Sequence, residues 1–133
     1  MHRSRLSTFV IDCQGLTIDA AADFWSRALG RKLGEIPPNA GDYRDLASSA
    51  EEPFLVVQRV DHPGRVHLDI ETDDMDAEVK RLEGLGAKRV AFVQRWWVME
   101  APTGQRFCVL NPQRGPLDAR ANAWNPDGTP GDD

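Results

Sequence analysis

A strand, an acidic turn and a helix ending in Leu-Gly occur in order, and about 56 residues later the same order occurs again. A duplication of that kind restricts a chain of 133 residues to folds made of two like modules. The first copy reads LSTFVIDCQ and then TIDAAADFWSRALG; the second reads GRVHLDIET and then DDMDAEVKRLEGLG. In the first strand Phe9, Ile11 and Cys13 alternate with Thr8, Val10 and Asp12, and in the second Val66, Leu68 and Ile70 alternate with His67, Asp69 and Glu71. Period-two alternation gives each strand one apolar face. Asp19 and Asp74 read as helix N-caps, and Met75, Val79 and Leu82 form an i, i+4, i+7 stripe that Gly84 and Gly86 end. The spacing predicts short amphipathic helices over 19–29 and 74–84.

Behind each helix lie runs with the composition of strands: YRDLAS and PFLVVQRV in the first half, KRVAFV, RWWVME and QRFCVL in the second. Runs rich in Val, Phe and Trp, bounded by Pro, Gly and Asp, form strands joined by hairpins. APTG and DHPG supply turns. The modules therefore extend over about 5–60 and 64–112, within a single domain over 1–112. From Asn111 the composition shifts to NPQRGPLDARANAWNPDGTPGDD, with Pro112, Pro116, Pro126 and Pro130 and few apolar residues. Residues 113–133 are read as a Pro/Gly-rich tail, partly disordered and ordered only as far as Trp124, whose ring docks on the domain.

With 41% hydrophobic and 28% charged residues the chain can build one core. A formal charge of −5 and a pI near 5.1 repel a phosphate backbone or an anionic membrane at long range, so neither is an expected partner. No run reaches the roughly 18 apolar residues of a membrane span, and MHRSRLSTFVIDCQ turns polar before a signal-peptide core could form, which reads as cytoplasmic. Cys13 and Cys108 are too few for a disulfide framework or a cysteine zinc site. Apolar burial has to hold the fold.

The segment VVQRVDHPGRVHLDIETDDMDAEVKRLEGLGAKRV, followed by GQRFCVLN, resembles the glyoxalase-like branch of the vicinal oxygen chelate superfamily, which takes in glyoxalase I, extradiol dioxygenases and bleomycin-resistance proteins. DFWSRALG is similar to that branch's early Phe-Trp and Leu-Gly signature. The resemblance covers roughly Leu6 to Leu110 and rests on several short motifs in order. It implies an α+β fold: two β-α-β-β-β modules forming a curled, cup-shaped mixed sheet, with helices outside and a ligand site inside. It also implies a homodimer, because relatives pair across sheet edges or share modules.

In metal-using relatives four cup-lining positions hold a divalent ion, and the resemblance carries these onto Thr8, Gln58, His67 and Cys108. His67 alone is a usual ligand at a usual place, whereas an open catalytic site draws on about three ligands among His, Asp, Glu and Cys. The set is therefore read as lacking a complete metal site. Its rival is a soft ion on His67 and Cys108; otherwise Cys108 packs as a small hydrophobe. His67, Asp69 and Glu71 share a strand face, but at the rise of a strand His67 and Glu71 stand about 13 Å apart. A His67–Asp69 acid/base pair is open, against which Asp69 is solvated or paired with an arginine such as Arg106, which shares Cys108's parity. A two-histidine, one-carboxylate iron site is not expected, since His2 falls in a frayed terminus and His62 in a turn.

Trp96 and Trp97 are adjacent, so on a strand one faces the cup and one faces away, and which is which stays open. Trp25 is read as core. Glu78 and Glu83 on the second helix are read as solvated surface, and Asp12 and Glu71 as strand ends that meet water. The expected function is binding of a small molecule in a cup lined by Thr8, Gln58, His67, Trp96 or Trp97, Arg106 and Cys108, with no cofactor unless a divalent metal sits on His67. The alternative is a glyoxalase-like lyase or isomerase using His67 as metal ligand or general base beside a carbonyl or enolate. A third reading is a scaffold whose cup is closed by its own side chains.

Overall fold

Thr17 is extended (φ −65°, ψ 156°) and its hydroxyl accepts the Ala20 N–H at 3.2 Å, so helix α1 (Ile18–Leu29) begins ahead of the expected cap. Asp19 lies instead in the first turn, where its carboxylate faces the positive end of the helix dipole and accepts from Arg44 at 3.2 Å. Asp74 does cap α2 (Met75–Gly84), accepting from the Ala77 N–H at 3.1 Å. Gly30, left-handed at φ 66°, ends α1, as its lack of a Cβ allows.

The computed structural model describes residues 1–49, 53–113 and 115–131. The chain divides into two units, Thr8–His67 and Met1–Ser7 with Leu68–Asp133.

The first unit holds Thr8–Cys13 of β1 (His2–Cys13), α1, β2 (Tyr43–Leu46) and β3 (Leu55–Arg59). β3 runs parallel to β1 and antiparallel to β2, with Ile11 opposite Val57 and Leu46 opposite Leu55. The outermost strand of this module is reduced to one bridge, Leu33 to Leu46. α1 lays Ile18 and Ala21 on Leu46 and Val57, and Cys13, Trp25 and Leu55 close around them. The apolar parity of β1 and the reading of Trp25 as core both hold.

The second unit holds His2–Ser7 of β1, Leu68–Thr72 of β4 (Arg65–Thr72), α2, β5 (Lys88–Val93), β6 (Trp96–Glu100), β7 (Arg106–Leu110) and β8 (Asn122–Trp124). β7 lies parallel to β4 and antiparallel to β6, and β5 pairs antiparallel with β6. Val79 and Leu82 of α2 meet Ala87, Met99 and Val109, with Ile70, Met75, Trp97 and Phe107 packed around them. Each unit is thus a helix on one face of a mixed sheet, and the fold is α+β, with a β-α-β-β-β order in the second unit and β-α-β-β plus the Leu33 bridge in the first.

Four sequence expectations change here. His2 is not frayed: it lies in β1, buried, with Nε2 2.8 Å from Glu78 Oε1. Glu78 is not solvated but fully buried, and Arg81 grips it through two hydrogen bonds of 2.7 and 2.8 Å. Burial would push the Glu78 carboxyl up, but the hydrogen bonds from Arg81 and His2 and the guanidinium charge together hold it below its usual range. Glu71 does not meet water either; fully buried, it accepts from Arg5 and from the Gln113 N–H. The segment after 113 supplies β8, whose Trp124 donates to Ser4 Oγ at 2.9 Å and lies 3.8 Å under the Arg81 guanidinium. Beyond Trp124 the chain closes a further turn, Gly131 N–H donating to Ala123 O at 2.8 Å. No helix among the described residues is long and apolar enough to cross a membrane.

Candidate functional site

β1 carries Thr8, Val10 and Asp12 on the face opposite Cys13 and the α1 core. Water is excluded from the end of that row: the Asp12 side chain is 1% exposed, against the expectation that it meets solvent. Gly64 brings the start of β4 close, and a Cβ there would stand 3.1 Å from the Asp12 carbonyl oxygen. The approach places His67 Nδ1 2.8 Å from Asp12 Oδ2, and Arg65 Nε 3.5 Å from the same oxygen.

A carboxylate only accepts, so in this pair His67 Nδ1–H donates and Nε2 becomes the basic nitrogen of the neutral ring. Asp12 therefore fixes tautomer and ring orientation at once. Its second oxygen, Oδ1, is buried with no hydrogen-bond partner among the described residues.

The register extends the row sideways. Asp12 faces Gln58 on β3, and Gln58 faces Tyr43 on β2, its amide donating to the Tyr43 hydroxyl at 2.9 Å. Opposed residues in a sheet share a face, so Thr8, Asp12, Gln58 and Tyr43 form one polar surface with His67 bonded to it. Of the expected site residues, Thr8, Gln58 and His67 belong to this unit, and all three fall on that surface. Asp12 and Tyr43 were not foreseen. The alternation that put Thr8 and Asp12 on one face was visible in the sequence; the partner across the strands was not.

Trp96, Trp97, Arg106 and Cys108 belong to the second unit. Trp97 faces the α2 core, edge-on to Phe92 at 5.3 Å between centroids and under the Arg89 guanidinium at 5.0 Å. Trp96, its strand neighbour, faces the other way, which settles the open question of orientation. Cys108 stands opposite Asp69 on that other face, and Arg106, of the same parity, donates to Glu100 Oε1 at 3.1 Å. His62 stays in its turn, its Nδ1 2.9 Å from Pro63 O.

The fit to a divalent ion is partial within each unit. In the first, one nitrogen of His67 is taken by Asp12, and Thr8 and Gln58 offer only weak neutral oxygens. In the second, Asp69 and Cys108 are usual donor types facing each other across β4 and β7. Neither set alone reaches the three ligands of an open catalytic site.

Over residues 8–110 the sequence matches the family described as the glyoxalase-like domain. The chain belongs to that family. Among solved structures, methylmalonyl-CoA epimerase from Mycobacterium tuberculosis is similar to this glyoxalase-like chain at 18% identity, with 80% of this chain and 87% of that one covered and a TM-score of 0.54. An uncharacterized protein from Methanosarcina mazei aligns at 12% identity, over 85% of this chain and 98% of that one, with a TM-score of 0.50. At such identities the likeness is one of fold. No curated protein matches the sequence.

Proposed function

We propose that this glyoxalase-like protein binds a small carbonyl-bearing molecule and that His67 acts on it as a general base, in the manner of a lyase or isomerase. The observation that carries the reading is the 2.8 Å bond between His67 Nδ1 and the buried Asp12 carboxylate. It commits Nδ1 to donation, so that Nε2 takes a proton from a C–H beside the carbonyl. The imidazolium that forms is held against the Asp12 charge, and the same nitrogen returns the proton, to the same carbon or a neighbouring one. Gln58 and Tyr43, hydrogen-bonded to each other in the same row, supply polar groups that orient the ligand. A divalent ion, where bound, would polarise the carbonyl oxygen.

Binding without catalysis is the second reading, favoured by the partial donor set. A homodimer and a cytoplasmic setting belong to both readings as proposals.

The test is solvent exchange. Incubation of a panel of 2-oxo acids, hydroxyketones and acyl thioesters with the protein in deuterated water, read by proton NMR, should reveal loss of the α-proton signal from at least one compound. His67→Gln should slow that exchange by about a hundredfold or more while ligand binding persists. Exchange unaffected by His67→Gln overturns the catalytic reading; saturable binding with no exchange in the native chain establishes the binder.

A further inference from the structure

On the side of β1 that meets α1, the first unit is open rather than closed. Phe9, Ile11 and Leu55 floor a groove of about 780 Å³, and Phe24, Trp25 and Leu29 wall it. That volume lies within the roughly 300–1,000 Å³ of small-ligand pockets. The wall is aromatic, Phe24 and Trp25 standing edge to face at 5.1 Å, and it is wet: Phe24 is 58% exposed and Leu29 45%. Val66, at the mouth, is 59% exposed. Apolar surface left in water at one place is what a partner covers.

Charge indicates which partner. Two charged residues line the groove, Asp12 and Arg65; the Asp12 side chain is 1% exposed and the Arg65 side chain 45%. Arg65 is therefore the charge that the groove presents. Its Nε lies 3.5 Å from Asp12 Oδ2 and one terminal nitrogen 3.5 Å from His62 Nε2, loose contacts that leave the guanidinium fork able to turn to a stronger acceptor. Cys13, also lining, adds no negative charge: burial pushes its thiol up, against a hydrogen bond with Trp25 and helped by the nearby Asp12 charge.

We propose that this groove is a second ligand site, which meets the polar face that carries His67 at Asp12, and that it takes an elongated apolar carboxylate. The chain or ring lies along Phe24 and Trp25, and the carboxylate sits on Arg65.

Calorimetric titration of the full chain with decanoate, and in parallel with decanol, tests this. Decanoate should bind saturably at one per chain, and more tightly than decanol. Arg65→Gln should weaken decanoate about fivefold or more and leave decanol unchanged. Phe24→Ser, at an exposed position that the core does not need, should weaken both. Absence of saturable decanoate binding below about 1 mM overturns the proposal. So does an equal response of the two probes to Arg65→Gln. A dimer in light scattering that Phe24→Ser separates, with decanoate binding only the separated chain, also overturns it, because the groove is then the seat of a second copy.

Discussion

Asp12 shows how one side chain changes the meaning of another. A histidine alone on a polar face is a hydrogen-bonding residue of no fixed tautomer; bonded through Nδ1 to a carboxylate that is 1% exposed, it has an assigned basic atom. The sequence leaves a pair of His67 with Asp69, its neighbour on the same strand face, open against an Asp69 that is solvated or bound to Arg106. Replacing Asp12 by Asn removes the charge and offers a group that both donates and accepts, so either tautomer of His67 is then satisfied. Nitrogen-15 NMR of the imidazole should find the Nδ1–H form dominant in the native chain and a mixture in Asp12→Asn. The lost charge-assisted bond should cost about 1.5–3 kcal/mol in urea unfolding. An unchanged tautomer would show that something other than Asp12 sets the ring.

At the scale of elements, α2 is a helix with a carboxylate at the centre of its buried face. Val79 and Leu82 pack in the ordinary way, but Glu78 beside them is fully buried and satisfied by Arg81 and His2. The ring of Trp124 under Arg81 ties β8 to the same cluster. The Glu78 carboxyl is held below its ordinary value of 4.5, so between the two values the unfolded chain binds more protons than the folded one. Its contribution to stability is therefore complete above about pH 4.5 and is lost as the pH falls toward the lowered folded value. Glu78→Gln, which leaves His2 and Arg81 without their counter-charge, should cost about 3 kcal/mol at pH 7. The difference from the native chain in urea midpoint should shrink as the pH is taken from 5 to 3, and a difference that stays constant would mean that the charge is immaterial.

For the whole molecule the quantities to measure are what it carries and how many copies assemble. With His67 Nδ1 committed to Asp12, and Asp69 and Cys108 the usual donor types of the other unit, metal and copy number are best read together. Elemental analysis with native mass spectrometry of the purified chain should find less than one transition metal per chain and a dimer mass. One tightly held ion per chain, lost in His67→Ala, would replace the metal-free reading of the proposed base with a metal-assisted one.

The duplicated pattern, the parity of β1 and β4, the α2 cap at Asp74 and the stripe of Met75, Val79 and Leu82 were legible in the sequence, because each depends on contacts within about one turn or one strand. The α1 cap was misplaced by two residues, since Thr17 and Asp19 are both competent acceptors and only the backbone angles choose between them. What the sequence could not yield are the partnerships that span the chain: His67 with Asp12 across 55 positions, His2 with Glu78 across 76, and β8 on the first residues of β1. Strand order and register decide which polar groups meet, and a charged residue on a helix reads as surface until the element that covers it is known. Composition named Asp12, Glu71, Glu78 and His2 as polar, and local pattern placed them in water. Tertiary structure buried all four, because each found a hydrogen-bonding partner that offsets its desolvation.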